Sequence, residues 1–240
     1  MIAIRDLTKM YGSMCAVSAL SFEVAPGDIV GLIGPNGAGK TSTLRCIAGI
    51  HRPTTGVVSV GGHDIVRDAV AAKRLSAFVA DEPHLFEHLT VREHLLLVGR
   101  LYSVSDVGRR IGALLDDMEL AEKADAVPAE LSRGMKQKVV LACAFLHDPK
   151  ALVLDEPLTG LDPLGIHRMK QAIVAAGQRG VAVLVSSHLL HLVEEICTRI
   201  VIIHKGVKVS DGTLAELAAH TAAGNTTLEQ IFLDMTTRRG

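Results

Sequence analysis

The chain has 240 residues, 48% hydrophobic and only 3% aromatic, with 25 lysines and arginines against 26 aspartates and glutamates for a formal net charge of −1. That length supports one sizeable core rather than two large domains, and the balanced charge excludes the electrostatic footprint of a chain that wraps nucleic acid or lies flat on anionic lipid. No uncharged apolar run approaches the roughly 20 residues that span a bilayer, and the N-terminus lacks the flank, apolar stretch and cleavage site of a secretion signal, so a soluble or peripheral protein is expected.

The first thirty residues read as antiparallel strands: Ile2-Ala3-Ile4, a turn at Tyr11-Gly12, then Leu20, Phe22 and Val24 alternating with polar neighbours. Tyr11 invites stacking on an adenine ring, although position alone favours packing. Pro26-Gly27-Asp28 then turns the chain into the apolar run Ile29, Val30, Leu32, Ile33. The next eight residues, Gly34, Pro35, Asn36, Gly37, Ala38, Gly39, Lys40 and Thr41, fit G-x-x-x-x-G-K-[ST] at every fixed position, and Ser42 continues the same nucleotide-binding stretch. Leu44, Ile47 and Ala48 follow at helical spacing, completing strand, loop and helix.

The glycines let the backbone curl so that successive N–H groups point at a polyphosphate, and the helix adds its positive end. Lys40 is expected to reach the β- and γ-phosphates, and the Thr41 hydroxyl to ligate Mg²⁺. A nucleoside triphosphate is the predicted ligand.

Val57, Val58 and Val60 form another short strand ending at Gly61-Gly62, and Leu75, Ala77, Phe78 and Val79 a further one. Asp81-Glu82-Pro83 then opens about sixty residues that read as almost entirely helical. In them Thr90-Val91-Arg92-Glu93 is a capping box, with Val91, Leu95, Val98 and Tyr102 behind it; Val107, Ile111, Leu114, Leu115 and Met118 make a second stripe. The segment closes at Leu131-Ser132-Arg133-Gly134-Met135-Lys136-Gln137, where Ser132 is a helix cap for the run through Val139, Leu141 and Phe145.

The apolar strand Ala151 to Leu154 delivers Asp155-Glu156 to the sheet edge where open α/β sheets place ligands. Asp155 is expected to hold Mg²⁺, and Glu156 to orient and deprotonate the water that attacks the γ-phosphate. Val181 to Val185 forms a strand presenting Ser186-Ser187-His188 at the same edge, so His188 reads as a γ-phosphate donor. Ile200 to Ile203 and Val207 to Val209 read as a hairpin through Lys205-Gly206, followed by a helix at Leu214 to Ala219, a link at Gly224-Asn225, and a last helix carrying Leu228, Ile231, Phe232 and Met235.

This ordered set of motifs closely resembles the nucleotide-binding subunits of ABC transporters, over nearly the whole chain. The resemblance implies an α/β P-loop NTPase with a RecA-like core, an antiparallel β-subdomain and an inserted helical subdomain. Residues 1–81 and 147–212 would form core and β-subdomain, 82–146 the helical subdomain and 213–240 a helical tail. It further implies that Tyr11 stacks on adenine, that Gly34 to Thr41 are the Walker A loop, and that Leu131, Ser132, Arg133, Gly134 and Met135 are the signature. Asp155 and Glu156 become the Walker B aspartate and catalytic glutamate, Leu161-Asp162 the D-loop, and His188 the switch histidine. Two such domains, identical or different, would pack head to tail around ATP, with the signature acting in trans. A transmembrane permease subunit would be the other partner, the chain sitting at the cytoplasmic face of a bacterial membrane. The strip around Phe78, Leu85 and Phe86 is the expected dock.

The Asp81 position and the signature sequence depart from the family pattern. Asp81 stands where a Gln is usual; it keeps Mg²⁺-ligand capacity but loses the amide donor. The signature reads Leu-Ser-Arg-Gly-Met, so Arg133 replaces a Gly and Met135 a polar residue. Together with Lys136-Gln137-Lys138 and the C-terminal Thr227 to Phe232, this resembles the bacterial ABC-2-type exporter branch. An ABC-type ATPase acting on ribosomes or DNA is the alternative, but the chain has neither the second cassette nor the long coiled coils of those branches, and no nucleic acid partner is expected. A GTPase lacks the guanine-reading N-K-x-D. His84 and His88, or His188 and His191, bring no convincing third zinc ligand, and Cys15, Cys46, Cys143 and Cys197 form no C-x-x-C pair.

Overall fold

Alternation of apolar and polar residues, interrupted by register shifts along β1, builds the first sheet. β1 (Ile2–Tyr11) pairs antiparallel with β2 (Met14–Val24) on one side and β4 (Thr55–Val60) on the other, and β5 (His63–Asp64) extends β4. Ile2, Ile4, Leu7, Leu20, Phe22, Val24, Val58 and Val60 form its buried face. The computed structural model describes residues 1–219 and 227–237.

The second sheet has six strands in the order β10-β9-β3-β8-β7-β6. Here β3 (Ile29–Ile33), β7 (Ala151–Asp155) and β8 (Ala182–Ser186) are buried at every residue, as expected of parallel strands covered on both faces. β6 (Ser76–Val79) and β9 (Arg199–His204) flank them in parallel, and β10 (Val207–Gly212) adds an antiparallel edge. Successive residues of β7 feed different cores. Leu152 and Leu154 pack with Leu95, Ile111, Leu115 and Leu141 of the helical insert, whereas Ala151 and Val153 pack with the antiparallel sheet and the helix α1 (Lys40–Ile47).

The insert lies between β6 and β7. It contains α3 (Val91–Leu101), α4 (Val107–Asp117) and α5 (Arg133–Leu146), the short α2 (Ala69–Arg74) preceding β6. Thr90 and Glu93 make the predicted reciprocal capping box. The insert is less helical than its sequence suggests. Residues 80–90 form no helix, and two single 3₁₀ turns, Ala121–Lys123 and Pro128–Glu130, stand between α4 and α5. Pro83 disfavours helix at Glu82 and the Thr90 cap starts α3 only at Val91, while Pro128 disfavours helix at Val127 and opens the second 3₁₀ turn.

After β7 come α6 (Pro163–Gln178), α7 (Leu190–Ile196), α8 (Leu214–Ala219) and α9 (Leu228–Thr237). Leu228 and Ile231 are fully buried with Leu217, Val193 and Ile33, which anchors the last helix behind β3. The predicted link at Gly224-Asn225 and the side chain of Met235 lie outside the described residues. Among those residues, no helix is long and apolar enough to cross a membrane.

Candidate active site

The C-terminal ends of β3, β7 and β8 open into one cavity of about 470 Å³, lined by Asn36 to Ser42 together with Asp81, Arg133, Asp155, Glu156, Thr159 and His188. Three adjacent buried strands thus bring the phosphate-loop motif, the carboxylate pair and the histidine to a single edge.

The loop owes its shape to its glycines. Gly37 and Gly39 have φ of 79° and 102°, the left-handed region that side chains avoid. At Gly34 the obstacle is space, because an added Cβ would lie 2.4 Å from the Ile203 carbonyl oxygen. Gly39 is also the N-cap of α1 and offers no capping side chain, so the first-turn amides are left for a ligand. From behind, the β9–β10 turn grips the loop: Gly206 N–H donates to Ala38 O (3.0 Å), and Gly206 O accepts from Ser18 N–H (2.8 Å).

Lys40 is only 8% exposed, and its ammonium donates to the carbonyls of Gly34 (2.7 Å) and Pro35 (3.3 Å). Burial lowers its pKa from the ordinary value, opposed by the nearby charges of Glu156 and Asp155. Asp155 is 2% exposed and accepts from the Ser186 hydroxyl at 2.6 Å, a bond from the neighbouring strand that fixes the carboxylate. Glu156 has φ of 49°, so the backbone reverses at the residue after the strand. Ser186 O accepts its N–H (3.1 Å). That turn directs the Glu156 carboxylate at His188, whose Nδ1 is 2.8 Å and backbone N–H 3.3 Å from Oε2.

Leu131 to Met135, the expected signature, meet their own chain in other ways. Ser132 caps α5 by accepting from Met135 N–H at 3.2 Å, and Leu131 and Met135 pack in the insert's core. Gly134 leaves no room for a side chain, since an added Cβ would lie 2.7 Å from Gly160 O. Arg133 alone of the five lines the cavity of its own chain, with a terminal guanidinium nitrogen 4.0 Å from Asp81. Asp162 caps α6 by accepting from Gly165 N–H at 2.7 Å, and Leu161 packs against the core beside it. Gln137, 1% exposed in α5, donates from Nε2 to Pro157 O at 3.3 Å and so ties α5 to the turn after Glu156.

Tyr11 does not pack into the core. It is 38% exposed, its hydroxyl lies 2.7 Å from His51 Nδ1, and Lys9 Nζ sits 4.9 Å from the ring centroid. Across the turn it pairs with Met14, and Met14, Cys15 and Ala16 line the cavity mouth. Sequence reasoning did not pick out these three or Thr159 as site residues; the one signal for Met14, Cys15 and Ala16 was their place directly after the Tyr11-Gly12 turn, and for Thr159 its place three residues after Glu156.

The donors facing the cavity from Thr41, Asp81 and Asp155 are all oxygens, a hydroxyl and two carboxylates, which is the chemistry of a hard divalent cation such as Mg²⁺.

Known proteins resemble this chain in sequence and fold. Residues 17–159 match the family model described as ABC transporter. The chain is 35% identical to the ABC-type transporter ATP-binding protein EcsA of Bacillus subtilis (strain 168), covering 98% of this chain and 96% of that one. It is 40% identical to the Nod factor export ATP-binding protein I of Paraburkholderia xenovorans (strain LB400), over 88% and 70% of the two chains. A solved ATP-binding subunit of an ABC transporter superposes with a TM-score of 0.94 at 33% identity, covering 98% of this chain and 99% of the other. A bacterial ABC transporter cassette solved as a dimer gives 0.81 at 25% identity, covering 89% and 99%.

Proposed function

This chain belongs to the ABC transporter family as an ATP-hydrolysing, ATP-binding subunit, and from that premise we propose that it is the motor of a bacterial exporter, seated at the cytoplasmic membrane face. Subunits of this family pair as dimers and work with transmembrane components. The relative named for Nod factor export supports the export direction, as does the Leu-Ser-Arg-Gly-Met signature. The partners proposed are a second ATP-binding subunit, identical or different, and a polytopic permease. The division into 1–81 with 147–212, 82–146 and 213–240 belongs to the same reading.

The observation that carries the chemistry is the Glu156–His188 contact of 2.8 Å at the mouth of the phosphate loop. Triphosphate oxygens would replace the Gly34 and Pro35 carbonyls as partners of Lys40, exchanging neutral acceptors for charged ones. The loop from Asn36 to Gly39 and the first turn of α1, with Thr41 and Ser42, surround the phosphates with N–H and hydroxyl donors. Glu156 takes the proton of the attacking water on the carboxylate oxygen that His188 leaves free. In its protonated form His188 holds Glu156 through Nδ1 and donates from Nε2 to the γ-phosphate. Thr41, Asp155 and Asp81 would hold Mg²⁺, which neutralises developing phosphate charge. Tyr11, paired with the cavity-lining Met14, would stack on the adenine, and Ser132 and Gly134 would serve the partner's ATP from a capped helix end. Leu161-Asp162, at the start of α6, forms the D-loop.

The permease would dock on the loop between β6 and α3. Phe86 is 65% exposed there, its backbone N–H donating to buried His94 at 2.9 Å, and half-buried Leu85 packs on the core of the helical insert; Phe78 packs instead with the antiparallel sheet and α1, so it is not part of one strip with them. The test uses tagged Glu156→Gln protein, trapped with ATP in its native host and solubilised in detergent. Co-purification of a stoichiometric polytopic membrane protein is expected, and its loss with Leu85→Asp/Phe86→Asp. Ribosomal proteins or nucleic acid in place of a membrane subunit would overturn the transport reading.

A further inference from the structure

Two of the departures from the family pattern, Asp81 and Arg133, meet each other. Asp81 leaves the sheet edge just after β6, and Arg133 is the first residue of α5, so the 4.0 Å contact bridges the parallel sheet and the helical insert. Both line the cavity that holds Lys40, Thr41, Asp155 and Glu156. The Arg133 stem lies over Gly160, whose added Cβ would sit 3.3 Å from Arg133 Cδ, and the first turn of α5 abuts the same glycine through Gly134. Packing of its stem on Gly160 thus directs the half-exposed guanidinium towards the cavity.

We propose that Arg133 and Asp81 form an intrachain latch across the phosphate pocket, which magnesium-bound nucleotide opens, so that Arg133 sets how strongly nucleotide binding depends on the metal. The proposal rests on the reading that Asp81 is one of the magnesium-facing oxygens. One carboxylate then has two competing cations. The pair with Arg133 is long, and its side chains are 58% and 50% exposed, so water and salt weaken it. A divalent ion in direct or water-mediated contact carries twice the charge at a site walled by the buried Asp155, and it wins once nucleotide supplies it. Opening the latch frees the N-terminus of α5 from the loop after β6, which couples metal-nucleotide binding to the helical insert through one side chain.

The experiment measures equilibrium binding of a non-hydrolysable fluorescent ATP analogue with excess Mg²⁺ and with EDTA. The readout is the ratio of the two affinities. Subtracting the metal-free binding removes the general attraction of Arg133 for phosphate. Arg133→Gln is expected to raise the ratio severalfold, Arg133→Lys to leave it near wild type, and Arg133→Gln to have no effect in an Asp81→Asn background. An unchanged ratio in Arg133→Gln, while Asp81→Asn lowers it, would sink the latch and leave the metal reading standing. An unchanged ratio in Asp81→Asn would take down both.

Discussion

The sheet edge and the N-terminus of α5 face the same cavity, but they are built to opposite standards. On the sheet side every residue of β3, β7 and β8 is buried, Asp155 is pinned by the Ser186 hydroxyl, and Lys40 is nearly enclosed. On the helix side Ser132 is exposed and Arg133 reaches the pocket through one long ion pair. Rigid strands hold the groups that perform chemistry, because a small misplacement of a base or a cation costs rate steeply. The helix end needs only to approach and withdraw.

Breaking the sheet side should have the larger effects. Glu156→Gln should lower ATP turnover by about 10²–10⁴-fold while keeping nucleotide binding, read by phosphate release alongside titration calorimetry. Rapid turnover would show that the base lies elsewhere. Leu154→Ala, at a position with 0% exposure, should cost about 2–5 kcal/mol in denaturant unfolding. Lys40→Ala removes a charged donor worth about 1.5–3 kcal/mol, so ATP affinity should fall by at least tenfold. Ser132→Ala sharpens the contrast: losing one cap should cost only about 1 kcal/mol of stability. The smallest effect concerns the thiols. Burial pushes Cys143 and Cys197 up to about 12, so a thiolate-selective reagent at neutral pH should spare them and label exposed Cys15. Cys15 lines the cavity mouth, and bound nucleotide should slow its labelling, followed by mass spectrometry.

Sequence reasoning reached furthest where one local rule sufficed. Uninterrupted apolar runs marked β3, β7 and β8, the glycine spacing marked the phosphate loop, and Thr90 with Glu93 marked the start of α3. It passed over α2, too short for a period to register, and α6, whose small residues blur the apolar stripe although Asp162-Pro163 is a clear start signal. Overcounting helix in residues 80–90 came from giving too little weight to Pro83 as a break and to the Thr90 capping box as the point where helix begins. The Asp81–Arg133 contact was beyond reach, because each departure was visible separately and only the tertiary fold makes them neighbours.

The turn at Lys205-Gly206 bears on how this protein can be engineered. Tips of β-hairpins are ordinarily where insertions and tags are tolerated. Here Gly206 has φ of 80°, an added Cβ would lie 2.9 Å from Ala16 O, and its two backbone bonds clasp Ala38 to Ser18. A reporter spliced into that tip would loosen the phosphate loop from behind, and the fusion would fail at nucleotide capture while its sheets remained folded.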